Sequence, residues 1–141
     1  MDREFNVSVE EIERTCQGEL PELVIKGLEL FNEGSYFEAH EALELAWRAE
    51  KAPVRELYRG ILQIAVAYYK ILQGNYPGAV KIFLRSRTWL GPFPERCRGI
   101  DLASFRADYG RVEAELLRLG PERIAWLDRS WMKPIRYSLP E

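Results

Sequence analysis

The only histidine of the chain, His40, stands four residues before Glu44 and seven before Trp47, inside the run SYFEAHEALELAW. On a helix, residues four apart project side by side, so an imidazole and a carboxylate at this spacing can do joint chemistry. One use is metal binding, with His40 and Glu44 as two ligands of a divalent ion. Zinc normally takes three protein ligands, and a di-iron bundle needs Glu-x-x-His pairs where this chain has Phe37, so carboxylates, water or another subunit would have to complete the site. A second use is an ion pair with arginine. Arg55, Arg59 and Gln63 recur at four-residue spacing further along and form a polar stripe whose guanidinium groups suit a carboxylate or another anionic group, while Arg48 is a local competitor for Glu44. The third is a polar network in which His40 and Glu44 bond each other and the hydroxyls of Tyr36, Tyr58, Tyr68 or Tyr69. The residues leave these three open. A functional site, for a metal or a small molecule, with His40 as ligand or acid/base and Glu44 as co-ligand or orienting carboxylate, requires a concave, water-reachable pocket at His40, whereas a purely structural network is dry and closed.

The elements that position these residues read as helices throughout. Apolar residues recur at three- and four-residue spacing, and the boundaries carry cap chemistry. Ser8 with Glu11 predicts a capping box opening a short first helix, stopped near Gly18. Further helices are expected from Pro21 to Asn32, from Ser35 to about Glu50 with a second capping box at Ser35 and Glu38, from Pro53 to Gly74, from Asn75 to the Gly91-Pro92 region, and from Asp101 to Leu119. No strand run competes. A wheel of the helix from Ser35 places Tyr36, Trp47, His40, Glu44 and Phe37 within an arc of about 100°, which predicts that His40 and Glu44 are buried and face the next helix. That next helix is apolar over about half its circumference and is expected to be central.

The sequence also repeats. Gly34-Ser-Tyr36-Phe-Glu-Ala39 aligns with Gly74-Asn-Tyr76-Pro-Gly-Ala79 at a period of 40, and the match extends to Leu43 and Ala46 against Phe83 and Ser86. Gly27 and Ala67 sit twelve residues before each alanine, where small residues let two helix backbones approach. The expected fold is therefore all-α: two antiparallel helix hairpins of tetratricopeptide-like repeat character, closed by C-terminal helices, as one domain over 1–141. Such hairpins can equally serve as an interaction module whose groove takes a peptide or a partner helix.

Composition narrows the classes. The net charge is −2, with −6 before residue 71 and +4 after it, which argues against a nucleic-acid footprint. The longest apolar run, ILQIAVAYYKIL, is broken by Gln63 and Lys70, and the acidic start MDREFNVSVEEIER lacks the features of a signal peptide. A cytoplasmic protein without membrane contact is expected. Cys16 and Cys97 lie far apart and are expected as reduced thiols. The aromatic tail is expected to dock on the body, with Trp126, Trp131 and Tyr137 as candidates for a homodimer contact.

Over roughly residues 24–90, FNEGSYFEAHEALELAW followed by RGILQIAVAYYKILQGNYPGA resembles the Domain of Unknown Function 309 family, small bacterial and archaeal helical proteins. The family's histidine, three residues, glutamate, two residues, aromatic pattern falls on His40, Glu44 and Trp47. Its second block falls on Gly60, Gln63, Ala65, Gly74, Asn75, Gly78 and Ala79. The resemblance implies metal binding through His40 and Glu44. Relatives often carry another histidine near the position of Lys70, and this chain has none.

Overall fold

The computed structural model describes residues 7–140. Met1 to Asn6 and Glu141, which the single-domain expectation also covers, lie outside the described residues. In chain order the elements are α1 (Val9–Thr15), α2 (Glu22–Asn32), α3 (Tyr36–Ala49), α4 (Arg55–Leu72), α5 (Tyr76–Leu90), the two-residue strands β1 (Arg96–Cys97) and β2 (Ile100–Asp101), and α6 (Leu102–Leu119). Two single 3₁₀ turns follow, Ile124–Trp126 and Arg129–Trp131. The fold is all-α, with six helices among the described residues. None of those helices is long and apolar enough to cross a membrane.

The two hairpins are closed by the same turn. Gly34 and Gly74 adopt φ of +86° and +75°, a region that glycine enters without a Cβ penalty. At the first turn the Gly34 N–H donates to Phe31 O and the Ser35 N–H to Leu30 O; at the second, Gly74 donates to Ile71 O and Asn75 to Lys70 O. This is the Schellman arrangement, which satisfies carbonyls left open at a helix end. It also explains a difference from the expected capping boxes. The box at Ser8 and Glu11 forms, with both bonds at 3.1 Å. At Ser35 the reciprocal half of the box is lost, because the Ser35 N–H that Glu38 would have bonded is already donated to Leu30, and the Ser35 side chain caps nothing. Asn75, in the equivalent backbone position, still reaches the Gly78 N–H at 3.0 Å and caps α5.

The repeat positions are the interior ones. Ala39 and Ala79, Leu43 and Phe83, Ala46 and Ser86, and Gly27 with Ala67 are all buried. Helix α4 lies between α3 and α5 and buries Leu57, Tyr58, Ile61, Ile64, Ala65 and Tyr68, as its apolar breadth predicts. The C-terminal tail docks as expected. Asn32 and Ile135 exchange two hydrogen bonds, at 2.7 and 3.0 Å, and the Ser138 N–H donates to Gly99 O. Trp131 packs beside the Arg111 guanidinium and Tyr137 bridges Ile100, so both rest on their own chain. Trp126 stays 70% exposed.

Two expectations are corrected. The Pro-rich stretch after α5 contains an antiparallel strand pair joined through Arg98 and Gly99, both at positive φ. Two-residue strands are too short to leave an alternating pattern in sequence. The same hairpin carries Cys97 onto the end of α1, where Cys16 and Cys97 form a disulfide. They are not the separate reduced thiols expected from their distance in sequence, because proximity here is made by the hairpin: the Arg98 N–H donates to Cys16 O at 2.8 Å.

Candidate functional site

His40 and Glu44 occupy the outer flank of α3, not its interior. The interior face of α3 consists of Tyr36, Ala39, Ala42, Leu43 and Ala46. Alanines are buried there because backbones approach most closely at small residues, and this rotates the larger Phe37, His40 and Glu44 outward. The His40 and Glu44 side chains are 26% and 37% exposed, which corrects the expected burial. His40 Nε2 lies 3.8 Å from Glu44 Oε1, and Arg48 Nη2 donates to Glu44 Oε2 at 2.9 Å. The hydrogen bond from Arg48 holds the Glu44 carboxyl below its usual value against the opposing desolvation, with the charges of Arg48 and His40 adding to the lowering. Arg48, the local competitor, takes the partnership that Arg55 and Arg59 were candidates for.

His40 Nδ1 is 3.2 Å from the Phe37 carbonyl oxygen. A carbonyl only accepts, so Nδ1–H donates and Nε2 is a lone-pair acceptor while the ring is neutral. Beside it opens a cleft of about 130 Å³ between α3 and α4, lined by Tyr36, Phe37, His40, Val66, Tyr69 and Lys70. Phe37 is 44% exposed, and its ring centroid lies 5.4 Å from those of both His40 and Tyr69. His40 therefore faces a water-reachable concavity, not a dry network.

The arginine stripe goes elsewhere. Arg55 donates to Glu50 O at 3.1 Å and to Glu56 Oε2 at 3.0 Å, and Arg59 Nη1 is 3.6 Å from Glu56 Oε1. Both guanidinium groups sit 5.0 Å from the Trp47 ring centroid, and that of Arg59 also lies 3.7 Å over Trp89. Glu56 is buried, and burial without such cations would be costly. The candidate residues thus divide into two groups: His40 at the cleft, with Glu44 and Arg48 following it along α3, and Trp47 with Arg55 and Arg59 around Glu56. Gln63 is half-buried on α4, and Asn75 is occupied as a cap.

Sequence reasoning did not single out Glu56. It also saw Arg98 only as a neighbour of Cys97. The Arg98 side chain is 13% exposed, donates to Thr15 O at 2.7 Å, Glu19 O at 3.0 Å and Tyr58 Oη at 3.2 Å, and approaches Glu50 at 3.8 Å. No local pattern foretells such a residue, because its partners come from four separate segments. Its tie to Tyr58 is opposed by desolvation, and burial pushes the Tyr58 phenol up to about 12 despite the nearby guanidinium.

The donor set at His40 is too small for a metal ion. His40 and Glu44 supply two ligand atoms, and the other oxygen of Glu44 is held by Arg48. Among the described residues no group of three or more His, Cys, Asp or Glu side chains converges. The described residues by themselves do not complete the ligand set of such an ion.

The chain is thus an all-α protein whose His40 motif borders an α3–α4 cleft. Residues 24–82, from the start of α2 into α5, match the family described as Domain of unknown function (DUF309), which bears out the resemblance seen in the sequence motifs. An uncharacterized protein of Aquifex aeolicus (strain VF5) is 29% identical over 87 residues, covering 61% of this chain and 26% of that protein. The match therefore spans about a quarter of that relative's length.

Proposed function

We propose that this protein is a helical-hairpin interaction module whose α3–α4 cleft receives one apolar side chain of a protein partner, with His40 at the rim. The observation that carries this reading is the exposed Phe37 ring, set between His40 and Tyr69 at the edge of an open apolar cleft. A cavity of about 150 Å³ lined by apolar groups accepts a benzene-sized guest, so a volume of about 130 Å³ suits one aliphatic or phenyl group. Large apolar side chains that stay half-exposed around a concavity are the usual anchors of recognition.

The 40-residue repeat supports the distinction between scaffold and site. Positions that both hairpins need for packing recur, whereas Phe37, His40, Glu44 and Trp47 align with Pro77, Val80, Leu84 and Arg87. Hairpin packing does not demand an imidazole there. A metal reading of the same motif needs a third ligand from outside the described residues.

Amide NMR spectra recorded during titration with N-acetyl-leucinamide and N-acetyl-phenylalaninamide test the proposal. Shifts should cluster at Tyr36, Phe37, His40, Val66, Tyr69 and Lys70 and vanish in Tyr69→Ala. No clustered response at millimolar fragment, or a His40-dependent, stoichiometric response to Zn²⁺ in its place, would overturn it.

A further inference from the structure

We propose that the Cys16–Cys97 disulfide is a redox latch: a dithiol reductant opens it, and α1 then leaves the body while the two hairpins stay folded. Helix α1 has little else to hold it. It has seven residues, and its buried side chains are Ile12 and Thr15. A helix this short does not persist by itself in water, because the few hydrogen bonds it closes do not offset its nucleation. Among the described residues, the hydrogen bonds that tie it to other segments all end at its last turn. Arg98 donates from Nε to Thr15 O at 2.7 Å and from its backbone N–H to Cys16 O at 2.8 Å, and the Val54 N–H reaches Thr15 Oγ1 at 3.3 Å. A cavity of about 280 Å³, lined by Glu11, Arg14, Thr15, Ala52, Pro53 and Arg98, opens between α1 and the turn that joins α3 to α4.

Release of α1 leaves little unsatisfied. Arg98 keeps Glu19 O at 3.0 Å and Tyr58 Oη at 3.2 Å, neither of which belongs to α1. The Val54 N–H and the carbonyls of Thr15 and Cys16 exchange their partners for water. Helix α4 stays covered by α3 and α5. The bond itself is reachable from one side. Cys16 is half-buried and lines a second cleft, of about 370 Å³, whereas Cys97 is 1% exposed. A thiolate of the reductant therefore attacks Cys16 Sγ, the Sγ–Sγ bond breaks, and its electron pair leaves on Cys97 Sγ, which takes up a proton. The second thiolate of the reductant attacks the first sulfur of its own molecule within the mixed disulfide. That step closes the reductant's disulfide and expels Cys16 as a thiolate, which is protonated in turn. The dithiol thus gives up two electrons and two protons, the protein takes up both, and the reverse exchange closes the latch.

The test is ¹⁵N relaxation on the whole protein, oxidised and then reduced with millimolar dithiothreitol. On reduction the amide order parameters of Ile12 to Cys16 should fall from about 0.85 to below about 0.6, while those of α4 and α5 stay near about 0.85. Cys16→Ser/Cys97→Ser should show the mobile α1 without any reductant. Oxidised glutathione should restore order to α1 in the reduced wild type and not in the double variant. A helix α1 that stays ordered in the reduced protein, or that does not regain order on reoxidation, would overturn the latch. Loss of order throughout α4 and α5 would overturn it too, since the bridge would then be a staple for the whole fold. So would a bridge that resists dithiothreitol in the native protein and opens only in urea.

Discussion

Gly60 and Gly110 both lie within helices, α4 and α6, and alanine at each should gain about 0.8–1.0 kcal/mol of helix propensity. Their surroundings differ. A Cβ at Gly110 meets nothing within 4 Å, so Gly110→Ala should be stabilising by that full amount. A Cβ at Gly60 would stand 2.5 Å from both Cγ and Cδ2 of Leu90 and 3.3 Å from Trp89 Cβ. Leu90 is fully buried and its branch carbon cannot swing aside as a flexible chain end would. Overpacking of this kind costs about 1–3 kcal/mol, so Gly60→Ala should range from neutral to about 2 kcal/mol destabilising once the propensity gain is subtracted. The two variants should therefore differ by about 1–3 kcal/mol, or on the order of 3 °C in Tm for each kcal/mol. Urea denaturation with an unchanged m value gives the comparison. If the two variants prove equally stable, α4 and α5 do not approach at Gly60 as described. Trimming the partner in Gly60→Ala/Leu90→Ala should recover part of the loss, leaving the double variant more stable than the sum of the single effects.

Replacing Cys16 and Cys97 by serine should lower stability by about 2–4 kcal/mol, since the bridge closes a sequence separation of 81, and reduction of the wild type should lower it equally; two titratable thiols in the unreduced, urea-unfolded protein would refute the bridge. Glu44→Gln should leave the urea midpoint unchanged, because its arginine partner is an exposed residue one turn away and no buried cation is left behind; a clear drop would show that Glu44 is coupled to the core. Tyr58 has a folded-state pKa raised from 10.0 to about 12, so its contribution to stability is complete below pH 10 and is lost as pH rises through about 12. Alkaline stability should fall less steeply across that window in Tyr58→Phe, and identical profiles would contradict the assignment.

What the sequence determined by itself is the set of features written in neighbouring residues. Ser8 and Glu11, Gly34 and Gly74, Asn75 and Asp101 mark helix ends through contacts three to five residues long, and such contacts form wherever the local chain adopts the turn. The 40-residue repeat and the breadth of the apolar face on α4 likewise foretell two packed hairpins with α4 between its neighbours. The candidate site was legible as a motif but not as an orientation. Helical periodicity places His40, Glu44 and Phe37 on one flank, yet which flank turns inward was decided by the close approach of α2 and α4 to the small residues Ala39, Ala42 and Ala46. Only the tertiary structure paired Arg55 and Arg59 with Glu56 and Trp47, joined Cys16 to Cys97, and set Arg98 between four segments. Those partners are distant in sequence or lie around a helix from one another, and whether they meet depends on the packing of whole elements, which no local pattern encodes.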